Sequence, residues 1–257
     1  MSKPIVFFDI DGTILNHQKE IPDSTKKAIQ ELQKKDVHVA IATGRAPFMF
    51  KDIREELNIK NFISLNGQYV EYEGQAIHKN PLDSKHLSDF VKKAETLNLP
   101  LIFLNEQTMK ASSEKHPYIT EAMNSLKMEH PEVDSEFYKD RDIYQALLFC
   151  EDGKEHEMIG GFDQFYYIRW HDLSMDVLPT GGSKATGIIE FAKHLGTNIE
   201  DVYAFGDGLN DLEMIQAVGT GIAMGNAVEP LKSIANHITT SCEEDGILNG
   251  LKWAGLI

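Results

Sequence analysis

The stretch PIVFFDIDGT (residues 4–13) begins as a continuous apolar run and ends abruptly in two aspartates. An uninterrupted apolar run of this kind is typical of a parallel strand that is buried on both faces. VHVAIA (37–42) and VYAF (202–205) have the same character. Because segments with helical spacing follow these runs, the pattern predicts an α/β fold built on a parallel sheet.

The middle of the chain has a different pattern. From about Pro81 to Leu178, helical segments and short strands follow one another in α+β style, and the alternating α/β pattern resumes after Gly181 and Gly182. The simplest interpretation is a Rossmann-like core of residues 1–80 and 179–257 that is interrupted by an inserted α+β cap domain, 81–178. Such insertions are tolerated where the two ends of the insert lie close together.

Composition excludes several classes of partner. Among 257 residues, 40 are Asp or Glu and 25 are Lys or Arg, which gives a net charge of −15. This charge disfavours nucleic acid and anionic membrane surfaces, which both bind basic faces. The chain shows neither a secretory signal nor a long apolar span, so we expect a cytoplasmic protein that is a monomer or a weak homo-oligomer. Two widely spaced cysteines suggest neither a zinc site nor a disulfide framework.

Polar clusters follow the predicted strands or open a helix. Ligands of open parallel sheets bind outside the carboxyl ends of the strands, so we expect these clusters to converge on one crevice. The candidate residues are Asp9 and Asp11 after the first strand, Thr43, Gly44 and Arg45 after the second, Asp207, Asn210 and Asp211 after VYAF, and Lys184 at a helix start.

Each cluster by itself has an ordinary structural explanation. Asp11-Gly12 is a common turn dipeptide, Thr43 could cap the next helix, and Asp207 and Asp211 could be loop and cap residues. Together they indicate phosphoryl transfer. Aspartate oxygens suit a hard cation, above all Mg²⁺, which reduces the repulsion between a carboxylate nucleophile and a phosphate. Lys184 would add a point charge that an anionic substrate needs.

The four clusters resemble, in order, the four motifs of the haloacid dehalogenase (HAD) superfamily. The insert and two flanking segments are similar to those of Cof-type phosphatases with a large α+β (C2-type) cap. The residues that carry this resemblance are DIDGT (9–13), IATGR (41–45), GGSK (181–184) and GDGLND (206–211), with NGQYV (66–70) and GIAMGNA (221–227) as the flanking segments.

The resemblance implies a role for each motif residue. Asp9 would be the nucleophile, and Asp11 would protonate the leaving oxygen and then activate water. Thr43, Lys184 and Asn210 would hold phosphate, with Gly44 leaving room for a backbone amide and Arg45 contacting the substrate or the cap. The implied Mg²⁺ ligands are Asp9, the carbonyl of Asp11 and Asp207, with Asp211 acting through water or as a further ligand.

These residues predict a Mg²⁺-dependent phosphatase that hydrolyses a small phosphorylated metabolite, such as a sugar phosphate, nucleotide or coenzyme phosphate, through an aspartyl-phosphate. Two alternatives remain at this stage. A phosphomutase similar to phosphomannomutase would pass the phosphoryl group to a second hydroxyl. A non-catalytic phosphate sensor of the receiver type would also become phosphorylated on its own aspartate near Thr and Lys. The second aspartate of DxD and the long insert of this chain count against that alternative.

Overall fold

The computed structural model describes residues 3–257, which form two compact units. Residues up to Lys79 together with Ser183–Ile257 form the first unit, and Asn80–Gly182 form the second. The predicted insert, 81–178, lies within the second unit, and the first two positions of the predicted core, 1–80, lie outside the described residues. None of the helices in the described part of the chain has both the length and the apolar character needed to cross a bilayer.

Thirteen strands occur within residues 3–257. In chain order they are β1 Ile5–Phe8, β2 His38–Ala42, β3 Asn61–Ser64, β4 Tyr69–Tyr72, β5 Gln75–Lys79, β6 Leu101–Leu104, β7 Met109–Ala111, β8 Gln145–Phe149, β9 Phe165–His171, β10 Ser174–Pro179, β11 Val202–Gly206, β12 Thr220–Ala223 and β13 His237–Ile238.

Nine α-helices occur over the same residues. They are α1 Asp23–Lys34, α2 Lys51–Leu57, α3 Ser84–Thr96, α4 Pro117–Ser125, α5 Glu155–Ile159, α6 Lys184–Leu195, α7 Leu212–Ala217, α8 Glu229–Lys232 and α9 Gly246–Trp253. Short 3₁₀ turns precede α2 and α7, at Pro47–Phe50 and Leu209–Asp211.

The first unit is built on an eight-stranded sheet in the order β13-β12-β11-β1-β2-β3-β4-β5. Every pairing from β13 to β3 is parallel, whereas β4 and β5 add an antiparallel hairpin at one edge. The second unit has an antiparallel sheet in the order β7-β6-β8-β10-β9. The structure thus confirms the α/β class predicted from the sequence, a parallel-sheet core with a separate α+β unit in the middle of the chain.

Helix α6 packs closely against the sheet. Ile188 and Phe191 are buried against the strands, and the ring of Phe191 meets that of Phe7 edge-on at 5.3 Å between centroids. A Cβ on Gly187 would lie 2.6 Å from the Ile63 side chain, and one on Gly67 would lie 1.9 Å from the Ser183 carbonyl oxygen. The two glycines therefore allow the start of α6, and with it Lys184, to approach the turn after β3.

The second unit has its own apolar core, and it also buries one acid. Asp176 lies on β10, the strand between β8 and β9, and is 9% exposed. Burial raises the pKa of this carboxyl to about 7, although the side chains of Gln145 and Trp170 act in the opposite direction. Folding therefore favours the protonated, neutral form of Asp176.

This shift predicts a pH-dependent penalty. Because the pKa of Asp176 is raised on folding, its contribution to stability is full below the ordinary value of 3.8 and is lost as the pH rises through about 7. The Asp176→Asn side chain cannot ionise, so the variant should not show this loss. We expect its free energy of unfolding to increase relative to that of wild type by up to about 1.4 kcal/mol for each pH unit between pH 5 and pH 7.

Urea denaturation at several pH values measures this difference. Asp172→Asn is the matched control, because Asp172 belongs to the same unit but is exposed. A difference between Asp176→Asn and wild type that does not change with pH would contradict the burial of an ionisable group at this position.

Candidate active site

The carboxyl ends of three adjacent strands bring the predicted residues together. Strands β11, β1 and β2 are neighbours in the sheet, and Asp207, Asp9 and Thr43 follow them directly. The Asp9 backbone N–H donates to the Phe205 carbonyl at 3.0 Å, so β1 and β11 remain in register up to the first aspartate. Residues that are almost 200 positions apart in sequence therefore share one edge of the sheet.

Lys184 lies at the centre of this group. Its Nζ donates to Asp9 Oδ1 at 2.6 Å and to Asp211 Oδ1 at 2.7 Å. The lysine side chain is fully buried, the Asp211 side chain likewise, and the Asp9 side chain is 9% exposed. Burial by itself would lower the pKa of Lys184, but the two carboxylates stabilise the charged ammonium group and raise it. Lys184 therefore stays cationic.

Asp211 uses both carboxylate oxygens within the protein. Oδ1 accepts from Lys184, and Oδ2 accepts the backbone N–H groups of Asp207 and Gly208, both at 3.0 Å. The carboxylate also packs against Gly206, where an added Cβ would lie 2.6 Å from it. Asp211 therefore fixes the loop that carries Asp207 and orients Lys184.

Asp207 is held by residues that the sequence analysis did not select. The Thr13 hydroxyl donates to Oδ1 at 3.4 Å, and Asn226 Nδ2 donates to Oδ2 at 3.3 Å and to the Gly12 carbonyl at 2.9 Å. Gly12 has φ +76°, and a Cβ there would lie 2.2 Å from Asp207 Oδ2. The sequence signal for Asn226 is its position in GIAMGNA (221–227), a segment that carries the family resemblance but none of the predicted site residues.

Three aspartates gather around a single lysine. Asp9, Asp207 and Asp211 each offer a carboxylate oxygen, and these oxygens lie within 4.8 Å of one another. Burial raises the pKa of Asp9, with Lys184 opposing the shift and Asp211 adding to it, and burial with the Asp211 charge raises the pKa of Asp207 to about 6. An oxygen-only donor set with excess negative charge fits a hard divalent cation such as Mg²⁺.

Asp11 has a different environment from Asp9. Its carboxylate accepts from Arg45 Nε at 2.9 Å and Nη2 at 2.7 Å, and from Lys19 Nζ at 2.6 Å. Burial works to raise the pKa of Asp11, but Arg45 and Lys19 outweigh it and lower the pKa. The predicted substrate residue Arg45 thus pairs with the predicted acid, and Lys19 was not anticipated because it lies in a loop outside the motifs.

The remaining predicted residues line the same edge of the sheet. Thr43 is buried, and its hydroxyl accepts the Arg45 backbone N–H at 3.2 Å. Gly44 lies against Asn66, where an added Cβ would approach the amide oxygen to 3.0 Å. That oxygen of Asn66 is buried without a hydrogen-bond partner in the described structure. Asn210 is exposed beside Gly208.

The buried Lys184 cluster predicts a large cost for removing the cation. Lys184→Met keeps much of the volume but leaves Asp9 and Asp211 as buried, unpaired carboxylates, so we expect about 3–5 kcal/mol less free energy of unfolding. Lys193→Met is the matched control on the same helix, because Lys193 pairs with Glu190 in an exposed ion pair worth less than about 1 kcal/mol. Equal stability of the two variants in denaturant titrations would refute the central role of Lys184.

Comparisons with known proteins identify the family to which the chain belongs. The family model for haloacid dehalogenase-like hydrolases matches residues 6–251. A putative phosphatase of Bacillus subtilis, YkrA, is 51% identical, and the alignment covers 100% of both chains. A hypothetical protein from Geobacillus kaustophilus superposes with a TM-score of 0.97 at 49% identity, covering 99% of this chain and 100% of that one. A HAD subclass IIB sugar phosphatase superposes with a TM-score of 0.85 at 28% identity, covering 99% and 100%. The chain therefore belongs to the haloacid dehalogenase-like hydrolase family, within which it groups with phosphatases.

Proposed function

We propose that this protein is a Mg²⁺-dependent phosphatase that hydrolyses small organic phosphate monoesters through a phosphorylated Asp9. The observation that carries the proposal is the contact of Lys184 Nζ with Asp9 Oδ1 at 2.6 Å, inside a cluster of three aspartates. Lys184 orients the Asp9 carboxylate and supplies positive charge where a phosphate dianion would otherwise be repelled. Attack by Asp9 on phosphorus would expel the alcohol of the ester.

Asp9 and Asp207 are the proposed Mg²⁺ ligands, together with the carbonyl of Asp11. Bound Mg²⁺ would neutralise charge on the phosphate and on the attacking carboxylate. Asp211 has both of its oxygens in hydrogen bonds within the protein, and this favours a supporting role for it. The backbone bonds that Asp211 accepts keep Asp207 in place.

Asp11 is the proposed proton carrier. Its pairing with Arg45 and Lys19 keeps the Asp11 carboxylate ionised. An ionised carboxylate is the form that can act as a base and activate water in the second step. Protonating the leaving group requires the acid form. We propose that Arg45 transfers its hydrogen bonds from Asp11 to the incoming phosphate, because a guanidinium binds carboxylate and phosphate with the same fork of donors, and that Asp11 then takes up a proton from solvent.

The leaving group of the substrate is proposed by class only. The subclass IIB relative is a sugar phosphatase, and a sugar phosphate is one of the small monoesters that the proposed chemistry would hydrolyse. We propose that the insert, 81–178, serves as the cap and selects among leaving groups, since the phosphate is common to all monoesters. Release of inorganic phosphate, rather than conversion to an isomeric hexose phosphate, separates this hydrolase from a phosphomutase.

Substitution of the two aspartates tests the mechanism. With p-nitrophenyl phosphate and Mg²⁺, we expect Asp9→Asn to abolish turnover, because the amide has no nucleophilic charge. Asp11→Asn should slow turnover by roughly 10²–10⁴-fold through loss of proton transfer. Asp11→Asn should also accumulate phosphorylated protein, detected by mass spectrometry after acid quench, because this activated ester leaves without an acid while water attack is slowed.

Asp23→Asn is the control for these two variants, since Asp23 is exposed in the first turn of α1. Half of the wild-type rate remaining in Asp9→Asn, or a phosphoryl group mapped to another residue, would eliminate Asp9 as the nucleophile.

Metal dependence is a separate prediction. Removing divalent cations with EDTA should silence the enzyme, and Mg²⁺ should restore it. Ca²⁺ should bind but support little activity, because its looser coordination allows bidentate carboxylate binding that misaligns the nucleophile. Calorimetry of Mg²⁺ binding to Asp207→Asn provides the check: an affinity equal to that of wild type would contradict the assignment of Asp207.

A further inference from the structure

A second group of metal-ligand side chains lies in the first unit, outside the aspartate cluster. The ligand atoms of His17, Cys242 and Glu243 all lie within 4.8 Å of one another. His17 and Glu243 are exposed, whereas Cys242 is buried. The cluster joins positions that are 225 residues apart, so no sequence motif announces it.

Two tight turns hold the three residues in place. His17 belongs to a turn closed by the Lys19 N–H on the Asn16 carbonyl at 3.0 Å. Cys242 and Glu243 belong to a turn closed by the Glu244 N–H on the Ser241 carbonyl at 2.9 Å. The turns are joined directly, since the His17 backbone N–H donates to Glu243 Oε1 at 2.9 Å. The Cys242 backbone N–H is also fixed, by Asn226 Oδ1 at 2.9 Å.

The donor set selects a different kind of cation from the aspartate cluster. A thiolate, an imidazole and a carboxylate are the three ligand types of zinc sites, and Mg²⁺ has little affinity for the first two. Zinc bond lengths of about 2.0–2.3 Å place tetrahedral ligand atoms roughly 3.3–3.8 Å apart. The ligand atoms lie at most about an ångström beyond this range, and rotation of the exposed His17 imidazole, which leaves the backbone bond to Glu243 intact, brings them closer.

We propose that His17, Cys242 and Glu243 form a site for a borderline-soft divalent cation of the zinc type, chemically distinct from the proposed Mg²⁺ site. Sγ of Cys242, one imidazole nitrogen of His17 and a carboxylate oxygen of Glu243 would be the three protein ligands, and water would complete the tetrahedron. Binding breaks the S–H bond of Cys242, forms the metal–sulfur bond and releases one proton to solvent; no change in oxidation state is involved. The proposal does not depend on the protein's being a phosphatase.

Cobalt titration of the full-length, EDTA-treated and dialysed protein tests the site in the presence of excess Mg²⁺. Co²⁺ reports sulfur ligation through a thiolate-to-cobalt charge-transfer band, which the all-oxygen aspartate cluster cannot produce. We expect one equivalent of Co²⁺ to produce this band and Zn²⁺ to abolish it by displacement. Cys242→Ser should remove the band, whereas Cys150→Ser, which alters the other buried cysteine, should retain it.

Variants of the two exposed ligands, His17 and Glu243, test the site even if Cys242→Ser fails to fold. His17→Ala and Glu243→Gln change exposed side chains. Each should weaken Co²⁺ binding by at least roughly 10–100-fold, because mutation of a residue that only hydrogen-bonds to a metal ligand already has an effect of this size. The absence of a charge-transfer band in wild type would overturn the proposal. So would a band that survives in Cys242→Ser, or Co²⁺ affinity that is unchanged in both His17→Ala and Glu243→Gln.

Discussion

The arrangement of the site depends on one buried cation between two carboxylates. Lys184 is enclosed completely and contacts Asp9 at 2.6 Å and Asp211 at 2.7 Å. Burying an ammonium group is costly unless it is paired with opposite charge. The two aspartates therefore stabilise the buried lysine, and the lysine stabilises the two buried carboxylates. Asp9 directly follows β1, Lys184 starts α6 and Asp211 lies in the turn after β11, so this interaction ties together segments that are distant in sequence.

The same interaction explains why the surrounding backbone is so closely packed. Lys184 can reach the strand ends only because Gly67 and Gly187 let α6 approach the sheet without a Cβ in the way. Gly12 and Gly206 similarly leave room for the carboxylates of Asp207 and Asp211. Several glycines in or beside the motifs are thus explained by close approach to side chains that are distant in sequence, which is a requirement on space rather than on catalysis.

The negative charge of the protein and its proposed anionic substrate are reconciled locally. Lys184, Arg45 and Lys19 all contact motif aspartates, so these cations offset most of the negative charge at this edge of the sheet, and the proposed Mg²⁺ would offset the rest, although the chain as a whole carries −15. Within this group the two aspartates of DxD differ in environment: burial raises the pKa of Asp9, whereas two cations lower that of Asp11. Two carboxylates of identical chemistry are therefore suited to different roles by their neighbours alone.

Much of this protein was determined by sequence alone. Apolar runs such as IVFF and VYAF are typical of strands in the interior of a parallel sheet, so the α/β class and the convergence of Asp9, Thr43 and Asp207 followed from local pattern and strand direction. The short C-terminal elements β13 and α8 carry too few residues to show a period, and neither they nor the longer α9 were anticipated. Side-chain partners were decided by tertiary structure. The bidentate bond of Arg45 to Asp11, the anchoring of Asp207 by Asn226, and the meeting of His17 with Cys242 depend on how distant turns pack together. No local signal encodes such contacts, because a residue's own sequence neighbourhood sets its backbone conformation, whereas the packing of the whole chain sets which side chains it meets.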